Sequence, residues 1–172
     1  MNYCSIKPTD IANGEGVRVS LFVAGCTHHC PGCFNPETWD FAAGEPFNDA
    51  VISRIMQLLK PAYINGLTLL GGEPFEPENQ RALLPLIRRI GTAMPQKNIW
   101  GYSGYVYDRD LIPGGRACCE VTEEILDSLD VLVDGPFIES RKDISLKFRG
   151  SDNQRLIDLK ATRREKKIVL LS

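Results

Sequence analysis

The sequence predicts an α/β fold on a mostly parallel sheet, either a partial, open (βα) barrel or an open sheet, in one domain covering residues 1–172. Three observations lead there. Four apolar, β-branched runs are separated by three helical patterns, the signature of strand–helix–strand units with right-handed crossovers. Glycine-rich and polar punctuation falls at the carboxyl end of each run, where open α/β sheets carry function. At 172 residues the chain is shorter than the about 200 residues or more of a complete eight-unit barrel, so one side stays open to a large substrate.

Val17 to Val23 (VRVSLFV) reads as a buried strand that stops at Gly25 and delivers the chain into a cysteine-bearing loop, 25–46. Asp49 to Leu59 places Val51, Ile52, Ile55, Met56, Leu58 and Leu59 at helical spacing, and Lys60-Pro61 ends the pattern. Gly66 to Leu70 is a short strand closed by Gly71-Gly72-Glu73-Pro74. Glu78 to Ile90 is helical, with a kink expected at Pro85. Lys97 to Tyr102 fits a third strand, followed by a Gly-, Tyr- and Pro-rich loop through Gly115, a helix near Thr122 to Leu129 and a fourth strand at Val131 to Val133 that ends at Asp134. Beyond Phe137 the pattern weakens. Lys160 to Lys167 is a solvated segment or short helix, and Ile168 to Leu171 is an edge strand or a frayed end within a tail, 157–172, whose structure stays open.

A composition of 43% hydrophobic and 24% charged residues suits a buried core, and a net charge of −2 advertises neither nucleic acid nor anionic lipid as partner. No stretch approaches the roughly 20 apolar residues of a membrane span, and Met1 to Ser5 has no basic region leading into an apolar run, so a cytoplasmic protein is expected. Six cysteines in such a chain point to reduced thiols and metal or redox chemistry rather than a disulfide framework.

Three of the six share one loop, Cys26-Thr-His-His-Cys30-Pro-Gly-Cys33. Three thiolates reach one cubane, and with no nearby fourth cysteine one iron is left open, unlike the four-cysteine clusters of electron-transfer ferredoxins. Structural zinc completed by His28 or His29 as a Cys3His site, a non-catalytic module, is the alternative these residues leave open. The second signal is Gly71-Gly72-Glu73-Pro74 at a strand end: glycine admits a ligand to the backbone and Glu73 can accept from an ammonium group, although the tetrapeptide is also a reasonable turn.

The pattern CTHHCPGC followed by Phe34-Asn35, together with GGEP, resembles the radical S-adenosylmethionine (SAM) superfamily, whose fold is the partial (βα) barrel. Asn13 to Arg18 (NGEGVR), LFVAGC at Leu21 to Cys26, Thr38-Trp39, Ser103-Gly104-Tyr105, LVDGPF at Leu132 to Phe137 and Arg149 to Gln154 resemble, more narrowly, the anaerobic ribonucleoside-triphosphate reductase-activating proteins, from about Asn2 to Leu156. The resemblance implies that Cys26, Cys30 and Cys33 hold a 4Fe-4S cluster whose open iron takes SAM. It also implies that Gly72 and Glu73 hold the SAM amino group, that Gly32, Cys33 and Phe34 lie against adenosine, and that Ser103 and Asp134 make further SAM or ribose contacts. His28 is then loop support. The activity implied is reductive cleavage of SAM to a 5′-deoxyadenosyl radical that generates a glycyl radical on anaerobic ribonucleoside-triphosphate reductase, with reduced flavodoxin or a similar donor supplying the electron. A radical SAM activase of another glycyl-radical enzyme, or one acting on a small molecule, is the neighbouring reading.

Two features depart from the superfamily. Gly32 stands where many members carry an apolar residue, leaving the adenine contact to Phe34, and Gly114 to Glu120 with Cys118-Cys119 has no counterpart. That pair and Cys4 read as ordinary thiols. Trp100 reads as packing, while the loop tyrosines Tyr105 and Tyr107 divide evenly between packing and a partner-facing surface.

Overall fold

The structure, a computed structural model, describes residues 1–171; Ser172, the last residue of the expected tail, lies outside the described residues. Its centre is one sheet in the order β3-β1-β2-β4-β5-β6-β7, with strands β1 (Asn2–Asp10), β2 (Val17–Val23), β3 (Glu45–Pro46), β4 (Ile64–Gly71), β5 (Asn98–Tyr102), β6 (Val131–Asp134) and β7 (Arg155–Asp158). The four central strands β2, β4, β5 and β6 are mutually parallel, as the alternation of strand and helix requires, and β1, β3 and β7 flank them in antiparallel pairing.

Alternation along the strands separates two faces. Val19, Leu21, Val23, Leu67, Leu69, Ile99 and Leu132 turn to one core shared with the helices. Helix α1 (Asp49–Leu59) starts where Asn48 Oδ1 accepts from Val51 N–H, and it buries Ile52, Ile55, Met56 and Leu59. Helix α2 (Pro77–Ala93) begins on a proline and buries Leu83, Leu84, Leu86, Ile87 and Ile90. It outruns the expected Glu78–Ile90 and passes through Pro85, whose exposed position lets water meet the carbonyl that the proline leaves without a donor. The one-turn helix α3 (Tyr107–Asp110) and helix α4 (Thr122–Ser128) follow β5, and α5 (Leu159–Glu165) follows β7 behind an Asp158 cap. Among the described residues no helix is long and apolar enough to cross a membrane.

The opposite face carries Arg18, Ser20, Phe22, Thr68, Leu70, Trp100 and Tyr102, and it is covered only in part. Arg18 is fully buried, donating to Thr68 Oγ1 (2.7 Å), Asn98 Oδ1 (2.7 Å) and the carbonyls of Leu67 (2.8 Å) and Glu15 (3.1 Å), with its guanidinium 5.3 Å from the Trp100 ring centre. Burial pushes its pKa down to about 10.

Three strands lie outside the sequence expectation: β1, β7 and the two-residue β3, which pairs with the start of β1. Lys7-Pro8 breaks the apolar alternation of β1, and its pairing with β2 shifts register twice, between Tyr3 and Ser5 and between Lys7 and Asp10. Strand β7 has four residues and two charged ends, and only pairing with β6 makes it a strand. The tail is neither frayed nor a full strand: after α5, the Asp158 N–H donates to Val169 O (2.9 Å) and Leu171 N–H to Leu156 O (2.8 Å), which lays 169–171 along β7.

Candidate active site

Strand β2 ends into the cysteine loop, and backbone bonds fix that loop before any side chain acts. Gly25 N–H donates to Thr38 O (2.8 Å) and Cys26 N–H to Trp39 O (3.1 Å), folding the loop back on itself, while Gly72 N–H reaches Val23 O and Glu73 N–H reaches Gly25 O, each at 2.8 Å. The ends of β2 and β4 are thereby joined above the sheet. A Cβ on Gly72 would stand 2.6 Å from Gly25 O, so this approach requires glycine.

Glu73 is the hub. Its carboxylate is 1% exposed and accepts from Phe75 N–H (2.8 Å), Ser103 Oγ (2.9 Å) and Gly104 N–H (2.7 Å), and His28 Nε2 lies 2.9 Å away. These four partners tie together the cysteine loop, β4 and the end of β5, and they occupy roughly all the lone-pair directions a carboxylate offers. Glu76 makes a parallel set: Thr27 donates to it through N–H (2.8 Å) and Oγ1 (2.6 Å), and Tyr105 Oη donates at 3.3 Å.

A cleft of about 480 Å³ opens between these loops and the uncovered sheet face. Cys26, Cys30, Cys33 and Phe34 line it from one side, and Gly72, Glu73 and Ser103 line it from the strand ends. Seven of the nine residues expected at the site therefore share one wall. Gly32 and Asp134 do not. Gly32 has a φ of +72° and faces Glu139, whose carboxylate a Cβ there would meet at 2.8 Å. The Asp134 carboxylate is taken up by Arg155 Nε (2.9 Å) and Nη2 (2.5 Å) and by Tyr107 N–H (2.7 Å), leaving its neighbour Gly135 on the wall. Lys7, Phe22, Tyr102, Phe148, Arg149 and Gln154 are among the further lining residues that were not expected there. Alternation along β2 and β5 signals Phe22 and Tyr102, whereas Lys7 follows from a strand that local pattern does not reveal.

Burial pushes the Cys26 thiol up to about 11 and raises Cys30 as well, with the Phe137 N–H working against the rise at Cys30. A thiol must lose its proton to ligate, so these two sites favour the thiolate only when a cation is present to hold it. The donor set fits an iron–sulfur cubane better than zinc. His28 is engaged by Glu73, and His29 stacks on Trp39 at 4.6 Å between ring centres. Among the described residues no group of three or more His, Cys, Asp or Glu side chains converges to hold a single metal ion. A cubane, with its irons at separate corners, takes thiolates that stand apart around one space. Cys118 and Cys119 lie elsewhere: Cys119 Sγ is 3.5 Å from Gln80 Oε1, on the helix side.

Residues 12–157 match the family described as a 4Fe-4S single cluster domain. Curated relatives include the anaerobic ribonucleoside-triphosphate reductase-activating proteins of Haemophilus influenzae (46% identical, 90% of this chain and 96% of the relative), Pasteurella multocida (44%, 90% and 95%) and Escherichia coli K12 (41%, 90% and 96%).

Proposed function

Because this chain belongs to the anaerobic ribonucleoside-triphosphate reductase-activating proteins and to the 4Fe-4S single cluster domain family, we propose that it is a cytoplasmic radical SAM enzyme that installs a glycyl radical on such a reductase. The observation that carries this reading is the shared wall: Cys26, Cys30 and Cys33 face Gly72 and Glu73 across one open cleft at the carboxyl ends of the parallel strands. The open sheet, read as a partial radical SAM (βα) barrel in a single domain, leaves that cleft accessible to a protein substrate.

Cys26, Cys30 and Cys33 would hold the cluster and leave one iron for SAM. Bound there, the cluster and SAM would supply one-electron reductive cleavage of the sulfonium C5′–S bond, the radical chemistry needed to remove hydrogen from a glycine Cα of the reductase. The chain's own residues orient and protect. Glu73 presents a fixed negative charge where the SAM ammonium binds, and in a site of low dielectric that charge acts even though its lone pairs are already taken. Ser103 and His28 hold Glu73 in place and are positioning residues. Gly72 offers bare backbone beside Gly25, and Phe34, packed 5.0 Å from Phe137, offers a ring to adenosine, a contact that Gly32 leaves to it. Asp134 acts at one remove, fixing the end of β6 through Arg155. The Cys30 and Cys33 thiols are only partly buried, which leaves a route for an electron from reduced flavodoxin or a similar donor.

The test is anaerobic. The reconstituted protein is incubated with SAM and reductant, with and without the reductase, and 5′-deoxyadenosine is quantified alongside electron paramagnetic resonance. A glycyl doublet on the reductase is expected, and its absence there, or its appearance only on another glycyl-radical enzyme, overturns the reading.

A further inference from the structure

Residues 141–151 form a hairpin that stands on the cysteine loop beside the cleft. Its base is closed by the Lys142–Ser151 bridge and by Asp143 N–H to Gly150 O (3.2 Å). It rests on the cluster side through Lys142, whose Nζ lies 5.2 Å from the Phe34 ring centre, and through Gly150, packed against Phe34 and Phe137. Its far strand is pinned to the sheet where Tyr102 Oη donates to Phe148 O (2.7 Å), with Phe148 held at a φ of +60°.

At the tip Leu146 is half-buried and lines the cleft, while Ile144, Ser145 and Lys147 around it stand exposed. Asp143 Oδ1 accepts from Ser145 N–H (2.8 Å) and Oγ (2.6 Å), which fixes the turn and holds Ile144 outward at 93% exposure. Ile11, 76% exposed, adjoins the lining residue Ala12, and Phe34 is 59% exposed. Of the four most exposed large apolar side chains among the described residues, Phe34 thus lines the cleft, and Ile11 and Ile144 stand in segments whose Ala12 and Leu146 line it. Exposed apolar groups gathered at a site and held rigid are the features of a binding surface.

Charge indicates the chemistry of the partner. Lys142, Lys147 and Arg149 on the hairpin and Lys7 across the cleft form no ion pair among the described residues, while Asp143 is committed to its own turn. A protein substrate is far larger than a 480 Å³ cleft, so whatever enters it must cover this rim.

We infer that the hairpin tip, led by Ile144 and flanked by Lys147, is the docking surface for the reductase, and that it receives an apolar segment of that protein bordered by carboxylates. The inference rests on the function proposed above. Because its base stands on the cysteine loop, the hairpin presents Ile144 in register with the chemistry.

The experiment measures binding of the reconstituted protein to the anaerobic reductase, its salt dependence, and radical formation, in the wild type and in Ile144→Asp, Lys147→Glu and Tyr63→Asp. Tyr63, 64% exposed in the turn before β4, is the distant control. Ile144→Asp is expected to weaken binding, and to raise the reductase concentration needed for half-maximal radical yield, by about tenfold or more. Lys147→Glu is expected to weaken binding severalfold and to flatten its salt dependence. Iron content and SAM cleavage without reductase stay at wild-type values, and Tyr63→Asp changes nothing. Unchanged binding in Ile144→Asp, an equal loss in Tyr63→Asp, or no binding by the wild type overturns the docking surface. Loss of iron or of reductase-independent SAM cleavage in Ile144→Asp also overturns it, by making the hairpin a support of the site. Binding that follows the expected order without any glycyl doublet upholds the docking surface and sinks the proposed chemistry instead.

Discussion

His28 and Glu73 meet at 2.9 Å between the cysteine loop and the end of β4, with Glu73 1% exposed and the His28 ring edge-on to Tyr105 at 4.3 Å. The pair joins the segment that carries the thiols to the segment that faces SAM in the proposed function, so the two halves of the site form as one unit. Glu73→Gln keeps the shape but turns an amide NH2 toward donors. Leaving buried donors without acceptors costs about 1–3 kcal/mol. Urea unfolding of the metal-free protein is expected to show that loss, and an unchanged midpoint would mean the hub contributes nothing to the fold.

The proposed cluster ligation separates the cysteines sharply. Cys30→Ala is expected to abolish iron binding and SAM cleavage together, because two thiolates do not hold the cubane. Cys118→Ala, on the helix side of the sheet, is expected to leave both at wild-type levels. Iron and sulfide analysis after anaerobic reconstitution gives the answer.

Asp134 and Arg155 predict a stability effect remote from the thiols. Arg155→Met leaves a carboxylate that is 1% exposed with Tyr107 N–H as its one remaining partner. The expected cost is about 3 kcal/mol, the low end for removing one member of a buried pair, because Arg155 itself is 29% exposed. Asp134→Asn in the same background removes the stranded charge and is expected to recover part of the loss, read by denaturant unfolding.

Acid is expected to destabilise the protein through Asp110. Hydrogen bonds from Arg109, then from Val106 N–H and Arg116, outweigh the opposing effect of burial and hold its carboxyl well below the usual carboxylate range. With the folded pKa below the unfolded value of about 4, the contribution is complete above pH 5 and fades as the pH falls toward the folded value. Thermal midpoints are expected to hold between pH 7 and 5 and to drop below about 4. Asp110→Asn should lower the midpoint at pH 7 and converge with the wild type at low pH. Parallel curves would exclude Asp110 as the source.

The central strands and the thiol loop were legible because their signals are local. Val17 to Val23 is apolar enough to be buried on both faces, and Cys26, Cys30 and Cys33 lie within eight residues. Glu73 was legible as a site residue, yet its four hydrogen-bond partners lie as far along the chain as His28 on one side and Gly104 on the other, and no spacing announces them. Asp134 ends its strand as expected, but its side chain is turned by Arg155, 21 residues later. Strands β1 and β7 and the 141–151 hairpin owe their form to pairing with distant backbone, which residue pattern does not encode.

An open sheet exposes two borders to any passing chain, and here neither border offers a template. On one side the two-residue β3 covers the start of β1, whose remaining length carries Lys7 and Pro8 and two breaks in register, and on the other residues 169–171 lie along β7. Unpaired strand borders invite aggregation, and charge, proline, bulges and a covering segment are the devices that prevent it. Residues 169–171 thus serve as a cap on the β7 border, and removing them is expected to raise the tendency of the protein to associate strand to strand, as light scattering would read.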